Sequence, residues 1–156
     1  MNIRLRNFRR DDFETLWKID QQCFVPGISY SRLELKFYIK RPGAFTLVAE
    51  SSPPELAPET VGFIVAEANR KQVGHIITID VLPKARRFGV GSILLAAAEK
   101  QLRDSNCEHV ILEAAVDNAA ALSFYKKHGY FVVKTERRYY SNGVDAFVLR
   151  KDLHSK

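Results

Sequence analysis

Residues 85–95 read ARRFGVGSILL: two arginines, two glycines one residue apart, then an apolar run. Glycine lets a ligand come close to the backbone, and the first turn of a helix carries N–H groups without intrahelical acceptors and a partial positive charge. Between a strand and a helix, this stretch is suited to hold an anion, with Arg86 and Arg87 adding charge. The bland alternative is a helix start with two flexible residues and a solvated basic patch. Two named phosphate motifs are ruled out: a dinucleotide fingerprint would place a third glycine at position 94, which is Leu94, and a P-loop would need Gly-Lys-Ser/Thr. Glu113 interrupts the apolar run VILEAAV. A carboxylate there is costly unless paired or hydrogen-bonded, and burial would raise its pKa and make it a better base; the alternative is a strand-end glutamate paired with an arginine. Tyr125 follows Asn118 by two helical turns, so both can point to one side, although an aromatic at helical spacing is usually core. His75 starts a strand and, by alternation, shares a face with Ile77 and Ile79; a lone histidine is more often structural.

These residues need elements to position them. IRLRNF alternates with period two and reads as a strand, followed by helices over RRDDFETLWKIDQQCF and SRLELKFYIK, the second stopped by RPG. AFTLVAE is a strand, SSPPELAPET a loop with three prolines, and VGFIVAEA and VGHIITIDVL are further strands. The glycine pair opens a helix from about Gly89 to Arg103, with Leu94, Leu95, Ala98 and Leu102 as its apolar stripe and Glu99 and Arg103 spaced to pair. HVILEAAV is a buried-type strand. DNAAALSFYKKHG is a helix capped by Asp117 or Asn118 and stopped by Gly129, and SNG joins the last two strands, YFVVKTERRYY and VDAFVLRKDL, as a hairpin. The order β α α β β β α β α β β implies the α/β class, with a mixed sheet covered by helices.

The chain has 156 residues, the usual size of one domain, with 46% hydrophobic and 27% charged residues. Its 24 Lys+Arg against 18 Asp+Glu give a net charge of +6, which favours anionic partners. The arginines are scattered and match no nucleic-acid-binding pattern, so no nucleic-acid partner is expected. Cys23 and Cys107 show no metal-ligand spacing, so no metal is expected, and the two read as free thiols of a reducing compartment. The N-terminus is no signal peptide, and VGSILLAAA is too short to span a bilayer; the expectation is a cytoplasmic protein without a membrane partner.

Arg86-x-x-Gly89-x-Gly91, preceded by IDVLP and followed by an amphipathic helix, resembles the acetyl-CoA motif of the GNAT superfamily of N-acetyltransferases. ILEAAVDNAAALSFYKKHGYF is similar to the second half of that family's CoA site, and ERRYYSNGVDAFVLRKDL to the C-terminal hairpin of its RimI-type and Ard1-type members, which acetylate protein N-termini. The resemblance covers nearly the whole chain as one domain, 1–156, and is specific from about residue 74. It implies the GNAT fold, a mixed sheet of six to seven strands flanked by about four helices. It also implies that Arg86, Arg87, Phe88, Gly89, Val90, Gly91 and Ser92 hold the CoA pyrophosphate. Ile79, Asp80 and Val81 would offer backbone groups to the pantetheine arm and thioester, and Asn118 would touch CoA. Glu113 stands where RimI-like enzymes carry their base, Tyr125 where the acid for the departing thiolate stands, and His75 where some Ard1-like enzymes carry a second base or water relay.

The chemistry of the acceptor points the same way. An α-amine with pKa near 8 is neutral in roughly a tenth of molecules at pH 7, a lysine amine in about one of a few thousand, so a modest base suits an N-terminus. By the resemblance, Val25, Pro26, Gly27 and Tyr30 of the first interhelical loop, with Tyr139 and Tyr140 of the hairpin, wall in a peptide or protein N-terminus, ribosomal proteins included. That loop lacks the Glu some Ard1 enzymes carry and is more apolar, which leaves the preferred first residue open. A lysine or small-amine acceptor, and a non-enzymatic acetyl-CoA-binding regulatory module, are the alternatives. A monomer or weak homodimer is expected.

Overall fold

The structure, a computed structural model, describes residues 2–52 and 57–153. Among them, seven strands form one sheet in the order β1-β2-β3-β4-β5-β7-β6. The strands are β1 Ile3–Asn7, β2 Ala44–Ser51, β3 Glu59–Ala68, β4 Val73–Val81, β5 His109–Ala115, β6 Phe131–Glu136 and β7 Ala146–Asp152. The helices are α1 Phe13–Cys23, α2 Arg32–Lys40, α3 Val90–Asp104 and α4 Ala119–Lys127. The expected element order and α/β class hold. Part of the expected proline loop, residues 53–56, lies outside the described residues.

Period-two alternation gives the sheet two apolar faces, and each collects helices. On one face Leu94, Leu95, Ala98 and Leu102 of α3 pack with Ile64, Ile76, Val110, Leu112 and Leu149, and α4 adds Leu122 and Phe124. On the other, Leu16 and Ile19 of α1 and Leu35 of α2 cover Val48, Phe63 and Val65. Each fully buried Leu or Phe contributes roughly 1.5–3 kcal/mol of transfer free energy, so these two layers dominate the stability of the elements that carry the site.

Two irregularities shape β4. Its register against β3 runs Val65↔Thr78 and then Ala66↔Ile76, so Ile77 is an extra, unpaired residue: a β-bulge. The bulge resets the alternation, which corrects the expectation that His75, Ile77 and Ile79 share one face. Ile77 packs on the α1–α2 side and Ile79 on the α3 side. The second irregularity is the pairing of β4 with its one parallel neighbour, β5, which covers only Val73–His75 against His109–Ile111. Beyond that point each strand keeps its other neighbour, β3 or β7, and the two splay apart.

Two further expectations fail. Glu99 does not pair with Arg103: it is buried, and its carboxylate accepts from the Tyr130 hydroxyl at 2.7 Å and from Lys151 Nζ at 2.8 Å. A buried carboxylate takes partners from the core side, which i, i+4 spacing on an exposed face does not foresee. The last hairpin is not tight either. β6 ends at Glu136 and β7 starts at Ala146, and the connection is held by its own bonds, Arg138 N–H to Asp145 Oδ1 at 2.8 Å and Val144 N–H to Asn142 Oδ1 at 3.1 Å.

Candidate active site

The splay between β4 and β5 opens a cavity of about 860 Å³, within the roughly 300–1,000 Å³ usual for small-molecule sites. At one end stand Arg86, Arg87, Gly89, Val90, Gly91 and Ser92. Arg87 and Gly89 have φ of 76° and 77°, so the chain turns through the left-handed region twice just before α3. Gly89 is the N-cap of α3, and no side chain caps the helix, whereas α2 is closed by a reciprocal Ser31–Glu34 box. The first N–H groups of α3 therefore face the cavity without a protein side chain to satisfy them, which is the arrangement that binds phosphate. Gly91 is small for packing: a Cβ there would lie 3.2 Å from the Phe124 ring. Some predicted contacts are already engaged. Arg86 Nε donates to Val81 O at 3.0 Å, and Ser92 Oγ lies 2.9 Å from His128 Nε2, whose ring packs on Phe124. Phe88 does not line the cavity and is exposed.

The middle of the cavity is formed by the two splayed strands. Ile79 and Val81 line it, but the Asp80 side chain points to the opposite face and is fully buried against α1. Glu113 also lines it, and its Oε1 lies 2.8 Å from His75 Nε2. The side chains of Glu113 and His75 are 16% and 29% exposed, so the pair is sheltered yet open to water. The carboxylate in the apolar run is hydrogen-bonded, as burial requires, but its partner is the histidine three residues into β4 and not an arginine. Tyr125 and Asn118 face the same space from α4. Asn118 Oδ1 caps α4 by accepting Ala121 N–H at 3.1 Å. Burial, followed by the charge of Asp80, holds the Tyr125 phenol above its ordinary pKa, so it is a neutral donor at pH 7.

At the far end Val25, Tyr30 and Tyr140 line the cavity, whereas Pro26, Gly27 and Tyr139 do not. Gly27 has φ of 92°, and its carbonyl accepts both the N–H and the hydroxyl of Ser141, at 3.2 and 2.9 Å. The interhelical loop and the β6–β7 connection are thereby clasped over the opening. Tyr30 reaches from this loop to the bulge, its hydroxyl donating to Ile77 O at 3.3 Å. Tyr139 and Tyr140 meet edge to face at 4.9 Å, and burial pushes the Tyr140 phenol to about 12. Sequence reasoning missed the bulge at Ile77, which has no sequence signal, and Phe24, Ile28 and Asn142 of the outer wall. Asn142 lies in the SNG stretch, which announces a turn and not a lining residue. Among the described residues no group of three or more His, Cys, Asp or Glu is placed to hold a metal ion, and no helix is long and apolar enough to cross a membrane.

Residues 11–130 match the family model described as acetyltransferase (GNAT) family. The chain belongs to the GNAT acetyltransferase family. Similar curated proteins include an N-alpha-acetyltransferase of Sulfurisphaera tokodaii, 33% identical over 162 residues, which cover 96% of this chain and 93% of the relative. Among solved structures, Ard1 from Thermoplasma volcanium superposes with a TM-score of 0.87 at 26% identity, over 99% of this acetyltransferase and 100% of that chain. A chain of the NatC complex bound to Gag peptide and CoA gives 0.82 at 26% identity, covering 99% and 100%.

Proposed function

We propose that this acetyltransferase moves the acetyl group of acetyl-CoA to the N-terminal α-amine of a protein or peptide. The observation that carries the reading is one continuous cavity with an uncapped, arginine-flanked helix N-terminus at one end, Glu113, backed by His75, and Tyr125 in its middle, and a clasped tyrosine-lined wall at the other. Relatives named N-alpha-acetyltransferase, and a structural neighbour holding a peptide and CoA, support it.

The residues present fit acetyl-CoA, which supplies the activated acetyl group. The α3 amides and Arg87 would hold its phosphates by hydrogen bonds and charge. The backbone of β4 beyond the bulge, unpaired on the β5 side, offers N–H groups along the thioester arm. Glu113, oriented by His75, would take the proton of the amine, directly or through a water, as the nitrogen bonds to the acetyl carbon and the carbon–sulfur bond breaks, and the Tyr125 hydroxyl would give its proton to the departing thiolate. The outer wall of Phe24, Val25 and Ile28 is apolar, so the first acceptor residue favoured is apolar and an acidic one disfavoured. The test is steady-state turnover with peptides differing only in residue one. Leu- or Met-first peptides are expected to exceed Asp- or Glu-first ones about tenfold or more in kcat/KM; equal rates would remove the apolar pocket from the account.

A further inference from the structure

Asp20 of α1 and Asp80 of β4 are both 0% exposed, and their carboxyl groups lie within hydrogen-bonding reach of each other. One oxygen of each is engaged: Asp20 Oδ2 accepts the Tyr30 N–H at 2.7 Å, and Asp80 Oδ1 accepts the Thr78 hydroxyl at 2.5 Å. The remaining oxygens, Asp20 Oδ1 and Asp80 Oδ2, are buried without a partner among the described residues. Two ionised carboxylates cannot rest in this arrangement, because each would be desolvated, unpaired and repelled by the other. A single proton between the two orphan oxygens satisfies both, one as donor and one as acceptor.

The titratable and charged groups that act electrostatically on the pair are Cys23 of α1, Tyr30 of the interhelical loop, Arg86 beyond β4 and Tyr125 of α4. Burial holds Cys23, Tyr30 and Tyr125 in their neutral forms, and Arg86 is committed to Val81 O. Arg86 is the one cation among them and offsets at most one negative charge on the pair; none of the others supplies the counter-charge that a second carboxylate would need.

The pair also lies on the path that seats the acceptor wall. Among the described residues the Tyr30 backbone is held only from α1, its N–H by Asp20 and its carbonyl by Trp17 Nε1 at 3.0 Å and Gln21 Nε2 at 2.8 Å. We propose that Asp20 and Asp80 hold one shared proton, and that this acid–carboxylate pair is the positioning device that ties α1, and through it the Tyr30 loop, to the bulged strand β4. Neither side chain touches the reacting atoms. The kinetic part of the inference rests on the peptide-acceptor reading; the spectroscopic part does not.

Trp17 is the one tryptophan of the chain and reports on the Tyr30 loop directly. Infrared difference spectra of the full chain, wild type minus Asp80→Asn at neutral pH, should show a protonated-carboxyl C=O band belonging to the wild type. The amide of Asp80→Asn can still accept from Thr78 and donate to Asp20 Oδ1, so Trp17 emission should stay at its wild-type wavelength. Asp80→Ala leaves Asp20 a lone buried carboxylate: emission should shift to the red, and acceptor KM should rise about tenfold with acetyl-CoA affinity unmoved. Absence of the wild-type band overturns the shared proton. Unchanged emission and unchanged acceptor KM in Asp80→Ala overturn the positioning role. If Asp80→Ala does not fold, the band and the emission of Asp80→Asn decide. If both behave as expected while no peptide is acetylated, the pair stands and the peptide-acceptor reading falls.

Discussion

Glu113 and His75 are 38 residues apart and meet at 2.8 Å because the parallel β4–β5 pairing places His75 directly beside Ile111. The sequence marks each residue separately, a carboxylate in an apolar run and a histidine early in a strand. Their pairing depends on a register between non-consecutive elements, which no local pattern encodes. On the proposed reading the two act as one acid–base unit, where the sequence left open which of them is the principal base. Glu113→Gln should lower kcat by about 10²-fold or more at pH 7, as loss of a general base does. Acetyl-CoA affinity, measured by calorimetry, should be unchanged. His75→Ala should cost less than Glu113→Gln and add little in the double variant, because residues acting as one unit are not additive. Fully additive losses would mean that the two act separately.

At the scale of elements, the turn before α3 was legible because glycine spacing, a preceding proline and a following apolar stripe are all local signals. The structure adds the reason: Gly89 sits at φ of 77° as an uncapped N-cap. Valine at position 89 is expected to weaken acetyl-CoA binding about tenfold or more, since a β-branched residue there costs on the order of 1–3 kcal/mol or moves the turn. Titration of acetyl-CoA into Gly89→Val checks this, and unchanged affinity would remove the turn from the site. The β4 bulge and the length of the β6–β7 connection were not legible. A bulge is defined by a partner strand, and the YY-SNG stretch carries β-favouring tyrosines up to a turn signal. Its residues are instead drawn off by Gly27, Asp145 and Asn142, contacts set by tertiary structure.

For the whole molecule, element order and class followed from periodicity, whereas the strand order, with β7 between β5 and β6, depends on packing that is non-local. Two polar links hold distant parts of this arrangement. Glu99 joins α3 to Tyr130 and to Lys151 of β7 in a largely buried cluster. Glu99→Ala should destabilise the fold by roughly 2–3 kcal/mol in urea unfolding, because it strands both partners; a loss near zero would show that water replaces the carboxylate. Near β1, Arg6 grips Asp12 through two bonds of 2.8 Å and holds its carboxyl below the ordinary range. A carboxyl lowered on folding stabilises above its unfolded pKa, about 3.9, and that contribution disappears as pH falls through the lower, folded value. Stability should accordingly drop below about pH 4 by more in wild type than in Asp12→Asn; parallel pH profiles would contradict the assignment. The central claim belongs to the whole chain acting as one catalyst, and CoA release from acetyl-CoA tests it most directly. Three acceptors are compared: peptides with a free N-terminus, the same peptides blocked at the N-terminus but carrying a lysine, and simple polyamines. The account predicts release with free N-termini alone. Release with the blocked lysine peptides or polyamines, and none with free N-termini, would contradict it.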